Sequence, residues 1–94
     1  MIDELYTIIL ERKAHPRQGS YTNQLLQAGE NKILKKINEE ATEVIVAAKA
    51  EGDQRLVEEV SDLFYHTLVL LASRGIDLEA VKAELRRRHQ PIGS

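Results

Sequence analysis

Glu39-Glu40-Ala41-Thr42-Glu43, answered further along by Glu58-Glu59-Val60-Ser61-Asp62, is the pair of segments on which the fold turns. Each sets one acid three residues before another: Glu40 before Glu43, and Glu59 before Asp62. Both lie in runs that otherwise read as amphipathic helix, and on a helix residues three or four apart share a face. Like charges at that spacing repel by a few tenths of a kcal/mol even in water. Repeating the arrangement beside core positions on two consecutive helices predicts a site for a hard divalent cation. Oxygen ligands select Mg²⁺, Mn²⁺ or Ca²⁺ over softer metals.

Working outward, Asn31 opens the helix that carries the first acids, and it should run to about Glu51 and stop at Gly52. At 100° per residue, Ile33, Leu34, Ile37, Ala41, Val44, Ile45 and Ala48 form one apolar stripe with Glu40 at its edge and Glu43 a step further out. Asp53 reads as the N-cap of the next helix, which reaches about Ser73 and closes at Gly75. Leu56, Val57, Val60, Leu63, Phe64, Leu68, Leu70 and Leu71 fill one broad face of it, and Tyr65, Val69 and Ala72 occupy much of the rest. The polar strip that remains carries Glu59, Asp62 and His66. A helix apolar nearly all round is buried on nearly all sides. So short a chain has too little material to surround one, which predicts a helical homodimer.

Upstream, Met1 to about Lys13 reads as a helix with Ile2, Leu5, Tyr6, Ile8 and Ile9 on its apolar side, broken by His15-Pro16-Arg17-Gln18-Gly19. Ser20 or Thr22 caps a short helix through Gln27, and Gly29 stops it. Downstream, Asp77 caps a last helix in which Leu78, Val81 and Leu85 are spaced for packing, and Arg86-Arg87-Arg88-His89 suits its C-terminal dipole. Residues 90–94 read as a loose tail. The reading is all-α: a small helical bundle in one domain, 1–94, folded over 1–89 and completed by homodimerisation.

Thirteen basic residues against 15 acidic give a net charge of −2, so nothing predicts nucleic-acid binding by electrostatics. The absence of cysteine excludes disulfides, thiolate metal sites and a cysteine nucleophile. Asp3 and Glu4 interrupt any signal-peptide pattern, and no run approaches the ~20 apolar residues of a membrane span. A soluble cytoplasmic protein is expected.

Taken singly, Glu40, Glu43, Glu59 and Asp62 each read as solvated charges in a chain that is 30% charged. Together, on two helices joined by a short Gly-Asp turn, they can converge. A di-iron site would ask for Glu-x-x-His, whereas position 43 is Glu and Glu59 precedes Asp62; His66 stands four residues later, at the edge of the site. Carboxylates alone point to Mg²⁺ holding phosphate oxygens. Cations for those phosphates are at hand in Lys32, Lys35 and Lys36, and in Arg86, Arg87 and Arg88. Ser20 and Tyr21, in the Gly19-Ser20-Tyr21-Thr22 turn, offer hydroxyls and N–H groups at a helix start.

At these residues the chain resembles a known superfamily. E-E-x-x-E (Glu39, Glu40, Glu43) followed by E-x-x-D (Glu59, Asp62) is similar to the pattern of the all-α nucleoside triphosphate pyrophosphohydrolases, the MazG and dimeric dUTPase group. The wider pattern is closer to the phosphoribosyl-ATP pyrophosphatases of histidine biosynthesis. Its pieces are Gly19-Ser20-Tyr21-Thr22, Lys32 through Val44, Ala47-Ala48-Lys49, Ser61-Asp62-Leu63-Phe64-Tyr65-His66 and Arg74-Gly75-Ile76. The likeness spans about residues 2–89. Asn38 departs from it slightly, standing where relatives often carry glycine.

The resemblance implies hydrolysis of phosphoribosyl-ATP between its α and β phosphates, giving phosphoribosyl-AMP and pyrophosphate in the second step of L-histidine biosynthesis. It implies Glu40, Glu43, Glu59 and Asp62 as Mg²⁺ ligands, with Mn²⁺ a substitute. Four or five carboxylates overcompensate one Mg²⁺, which predicts two ions or more once substrate is bound. Glu39 joins Glu40 as a candidate catalytic carboxylate, either as a ligand or as a base for water. Lys32, Lys36, Arg86, Arg88, Ser20 and Tyr21 are candidate phosphate contacts, and His66 a supporting residue. Some relatives are fused to a zinc cyclohydrolase that uses cysteines; this chain is expected to be free-standing. Two alternatives stand beside this reading: a house-cleaning pyrophosphohydrolase of non-standard nucleotides, and a non-enzymatic helical oligomerisation module.

Overall fold

Glycines, joined once by Pro16, interrupt the apolar spacing at four places, and each interruption ends a helix. The computed structural model describes residues 1–89; the tail expected over 90–94 lies outside the described residues. In order they form α1 (Ile2–Ala14), α2 (Tyr21–Ala28), α3 (Glu30–Val46), α4 (Asp53–Ser73) and α5 (Leu78–Arg88). A wider, π-type turn over Ala47–Glu51 continues α3. The described residues contain no strand, so the all-α reading holds.

Helix α4 is the hub, packing against α1, α2 and, most extensively, α3. Ile9 of α1, Leu25 of α2, Ile33 of α3 and Leu68, Val69 and Ala72 of α4 share one core with Tyr6. Ile33 and Val69 are fully enclosed, at 0% exposure. The first half of α3 therefore lies against the second half of α4, so the two run antiparallel. Their other halves bring together Glu40, Glu59 and Asp62. One end of this helix pair is apolar and the other acidic.

The start of α2 follows the expected chemistry. Ser20 Oγ accepts from the Asn23 N–H. Asn23, buried, ties the preceding turn down: its Nδ2 donates to the Arg12 carbonyl (2.7 Å), and its Oδ1 accepts from the Arg17 N–H (2.8 Å). At the end of α4 the Ile76 N–H donates to the Leu71 carbonyl and the Gly75 N–H to the Ala72 carbonyl. That paired closure needs a left-handed residue, which Gly75 supplies at φ 67°. Lys13 Nζ, from α1, donates to the Ala72 carbonyl as well (2.7 Å).

Two expectations are corrected. The cap of α4 is Gly52, and Asp53 is the first helical residue, where its charge suits the dipole. The buried line on α3 runs through Ile33, Glu40 and Ala47, seven residues apart, while Leu34 and Ile45 are exposed. α4 approaches along that seven-residue seam, so the residues flanking it turn outward. On α4, Glu59 and His66 of the polar strip are buried and Asp62 is exposed, while Val57 and Phe64 of the broad apolar face are 60% and 54% exposed. Within one chain, α4 is thus covered on its acidic side and open on an apolar one.

Gly52 links α3 to α4 at φ 87°, ψ 172°, a region that residues with a Cβ rarely enter. A Cβ there would meet nothing within 4 Å, so any cost lies in the backbone alone. Gly52→Ala is expected to lose about 1–3 kcal/mol in urea unfolding, with helical content unchanged. Unaltered stability would show that the turn can relax to another conformation.

Candidate metal centre

The seven-residue seam of α3 places Glu40 against the first half of α4, where Glu59 and Asp62 stand one turn apart. One carboxylate oxygen from each lies within 4.8 Å of the other two. Glu40 and Glu59 are buried, at 9% and 5% exposure, and Asp62 is at the surface. Glu43 is exposed, a turn beyond Glu40 on α3, and stands outside this trio. Glu39 is exposed beside it.

Each inner acid has a cation beside it. Lys36 Nζ lies 3.4 Å from Glu40 Oε1 and 3.6 Å from Glu39 Oε2. Arg55 Nη2 lies 2.6 Å from Glu59 Oε1, and its Nη1 holds Glu58. Even so, Glu40 is pushed above the ordinary glutamate pKa. Desolvation is the largest cause; its hydrogen bond to Glu59 and the charge of Asp62 add to it, against the pull of Lys36. Lys36 is raised as well: burial opposes its charge, but Tyr21, Glu40 and Glu39 together outweigh burial. The cluster thus holds more negative charge than its own cations satisfy.

The donor set and spacing fit a hard cation. At the Mg–O distance of about 2.1 Å, opposite ligands lie roughly 4.2 Å apart, and longer Ca–O bonds widen that to about 5 Å. Three oxygens within 4.8 Å of one another need only a small contraction to share one ion.

Beside the acids, Tyr21 of α2 meets Tyr65 and His66 of α4 in an aromatic cluster. His66 Nδ1 is 2.7 Å from the Asp62 carbonyl, which can only accept, so Nδ1 carries the proton. In the neutral ring Nε2 then accepts, and Tyr21 Oη, 2.9 Å away, is its donor. Tyr21 and Tyr65 stack with centroids 6.2 Å apart and planes at 26°, and Thr22 Oγ1 bonds Tyr65 Oη. The expected role of Tyr21 as a phosphate donor is thereby narrowed. Its proton is engaged by His66, leaving lone pairs and a ring face. Burial raises its pKa further, in keeping with a phenol that stays protonated.

Ser20 is at the cap of α2, its oxygen engaged by the Asn23 N–H. Lys32 is exposed one turn before Lys36. Arg86 and Arg88 stand at the end of α5, beside Glu79 and Glu84 of their own helix. Sequence reasoning passed over Arg55, although it lies three and four residues before Glu58 and Glu59, the spacing at which helical ion pairs form.

The family model described as phosphoribosyl-ATP pyrophosphohydrolase matches residues 2–89. The chain belongs to the phosphoribosyl-ATP pyrophosphohydrolase family. A phosphoribosyl-ATP pyrophosphatase of Lactiplantibacillus plantarum is 54% identical over 87 residues, 93% of this chain and 82% of the relative. One from Listeria welshimeri is 54% identical over the whole chain and 90% of the relative. A histidine biosynthesis bifunctional protein HisIE of Oceanobacillus iheyensis is 52% identical over 95% of this chain but only 41% of its own length. The domain of this family thus also occurs as part of a longer polypeptide.

A folded-state pKa above the unfolded one stabilises below the unfolded value and is lost as pH rises through the folded one. Metal-free Glu40→Gln should therefore match the parent's Tm near pH 4 and exceed it increasingly towards pH 7. The gain should be about 4–8 °C for each kcal/mol of repulsion relieved. Thermal unfolding in EDTA across that range checks it; a difference independent of pH would contradict the assignment of the strain to Glu40.

Proposed function

We propose that this chain hydrolyses phosphoribosyl-ATP between the α and β phosphates, releasing phosphoribosyl-AMP and pyrophosphate in the second step of histidine biosynthesis. Residues 2–89 would form its single catalytic domain. The observation that carries the reading is the convergence of Glu40, Glu59 and Asp62 in a chain of this family. Glu40, Glu59 and Asp62 would hold Mg²⁺, or Mn²⁺ in its place, with Glu43 closing from the next turn of α3. A bound Mg²⁺ supplies charge neutralisation at the polyphosphate and a water of lowered pKa.

The side chains would do the rest. Glu39, exposed beside the trio, would take the proton of the attacking water as its oxygen bonds to phosphorus and the bridging P–O bond breaks. Pyrophosphate would leave with that bonding pair. Lys36 and Lys32, on successive turns of α3, would meet the phosphates. Ser20 would donate its hydroxyl proton, its oxygen already serving as a cap. Tyr21 would contribute its ring face and lone pairs, aligned by His66. Arg86 and Arg88 belong to another helix end, and for them a phosphate contact would come from a second copy of the chain.

A second copy also suits the open side of α4. Ile2, Leu63, Phe64, Leu71, Val81 and Leu85 line an apolar groove of about 620 Å³ across α1, α4 and α5, a face of the kind that marks an interface. We read it as the dimer surface, to be checked by the mass in solution. Among the described residues no helix is long and apolar enough to cross a membrane. A cytoplasmic location would suit the proposal, since highly charged nucleotides do not cross bilayers unaided.

The test is pyrophosphate release from phosphoribosyl-ATP with Mg²⁺. Activity should vanish in EDTA. Glu59→Gln or Asp62→Asn should lower kcat by roughly 10²–10³-fold, since metal stabilisation is worth several kcal/mol, with helical content retained. Turnover of dUTP or dCTP in place of phosphoribosyl-ATP would favour the house-cleaning alternative. Full activity in both variants would refute the metal reading.

A further inference from the structure

The two buried acids are balanced by cations that are held very differently. Lys36 is half-buried, and its charge faces Glu39, Glu40 and Tyr21. Arg55 is half exposed and forms a three-way node. Its Nη1 binds Glu58, its Nε lies 4.0 Å from Glu51 Oε1, and only its Nη2 reaches inward, 2.6 Å from Glu59. Glu51 and Glu58 are exposed and lie outside the trio. The guanidinium therefore has two anchors outside the site and one bond into it.

Its inward bond is to one of the carboxylates best placed to ligate an ion. A cation entering among Glu40, Glu59 and Asp62 competes with Nη2 for Glu59. A guanidinium remains charged at any working pH and presents five N–H donors in a rigid plane. On losing one acceptor it stays at the rim, held by Glu58, with an edge directed at whatever anion arrives.

We propose that Arg55 couples metal binding to phosphate binding: in the metal-free chain its Nη2 occupies Glu59, and an ion taken by the trio releases that edge to grip a terminal phosphate of the substrate or of the leaving pyrophosphate. This rests on the metal reading above. Arg55 is then a substrate-binding residue whose availability depends on the ion. Emptying the site of metal returns it to Glu59.

The coupling predicts effects of opposite sign in Arg55→Gln, which lies at the surface. Calorimetry of the full chain with Mn²⁺ alone should show roughly two- to fivefold tighter binding, the range expected on removing a half-exposed ion pair. Inorganic pyrophosphate, titrated at saturating Mn²⁺, should bind roughly tenfold or more weakly, as loss of a charge-assisted hydrogen bond implies. Lys82→Gln, the same change of charge at the distant Asp3 pair, should move neither. Unchanged pyrophosphate affinity in Arg55→Gln, weakened Mn²⁺ binding, or an equal response in Lys82→Gln would each overturn the proposal. The two readings fail separately. A parent chain that binds no Mn²⁺ defeats the metal site, whereas Mn²⁺ binding that Glu59→Gln abolishes and Arg55→Gln leaves alone defeats only the coupling.

Discussion

Mutual repulsion of Glu40 and Glu59, buried where two antiparallel helices cross, is the constraint around which the molecule is arranged. Withdrawing carboxylates from water costs several kcal/mol per charge unless partners compensate. Lys36 and Arg55 supply part of that compensation, and the raised pKa of Glu40, set first by its desolvation, shows that it is incomplete. The remainder must come from elsewhere in the fold. It comes from the opposite end of the same helix pair, where Ile33 meets Val69 and Ala72 in full burial. Apolar packing at one end holds the acids together at the other.

The supporting helices serve that division. α1 is fastened to the apolar end of α4: Lys13 meets the Ala72 carbonyl, and Tyr6 donates to the Ile76 carbonyl. α2 crosses nearer the acids, where Tyr21 and Thr22 bond His66 and Tyr65. His66 reports on both sides of this arrangement, with one nitrogen on α2 and the other on the backbone of Asp62. A shift of α2 would thus be felt at the turn of α4 that carries the exposed member of the trio. α5 adds nothing to the acids directly. Its Val81 and Leu85 extend the apolar groove on the far side of α4.

Much of this was legible in the chain, because helix length, interruption and acid spacing are local properties. Pro16 and the glycines at 19, 29, 52 and 75 marked the breaks, and Glu40, Glu59 and Asp62 were chosen for their spacing. What was not legible depended on which way each helix is rolled. Leu34 and Ile45 look as apolar as Ile33, and only the approach of α4 decides between them. How deeply Glu59 and His66 are buried depends likewise on how α3 and α2 approach α4. Arg55 was missed for the same reason, since its meaning depends on Glu59 being buried. Tyr21 was placed near the site for its hydroxyl, yet the hydrogen bond to His66 is invisible without the fold.

The central claim is that the acidic end of the α3–α4 pair exists to hold a divalent ion. Its most direct test is a crystal grown with Mn²⁺ and measured for anomalous scattering. The account predicts a peak at roughly 2.0–2.6 Å from carboxylate oxygens of Glu40, Glu59 and Asp62, with Arg55 drawn off Glu59. No peak among those three side chains at saturating Mn²⁺, with Lys36 and Arg55 still in place, would contradict it.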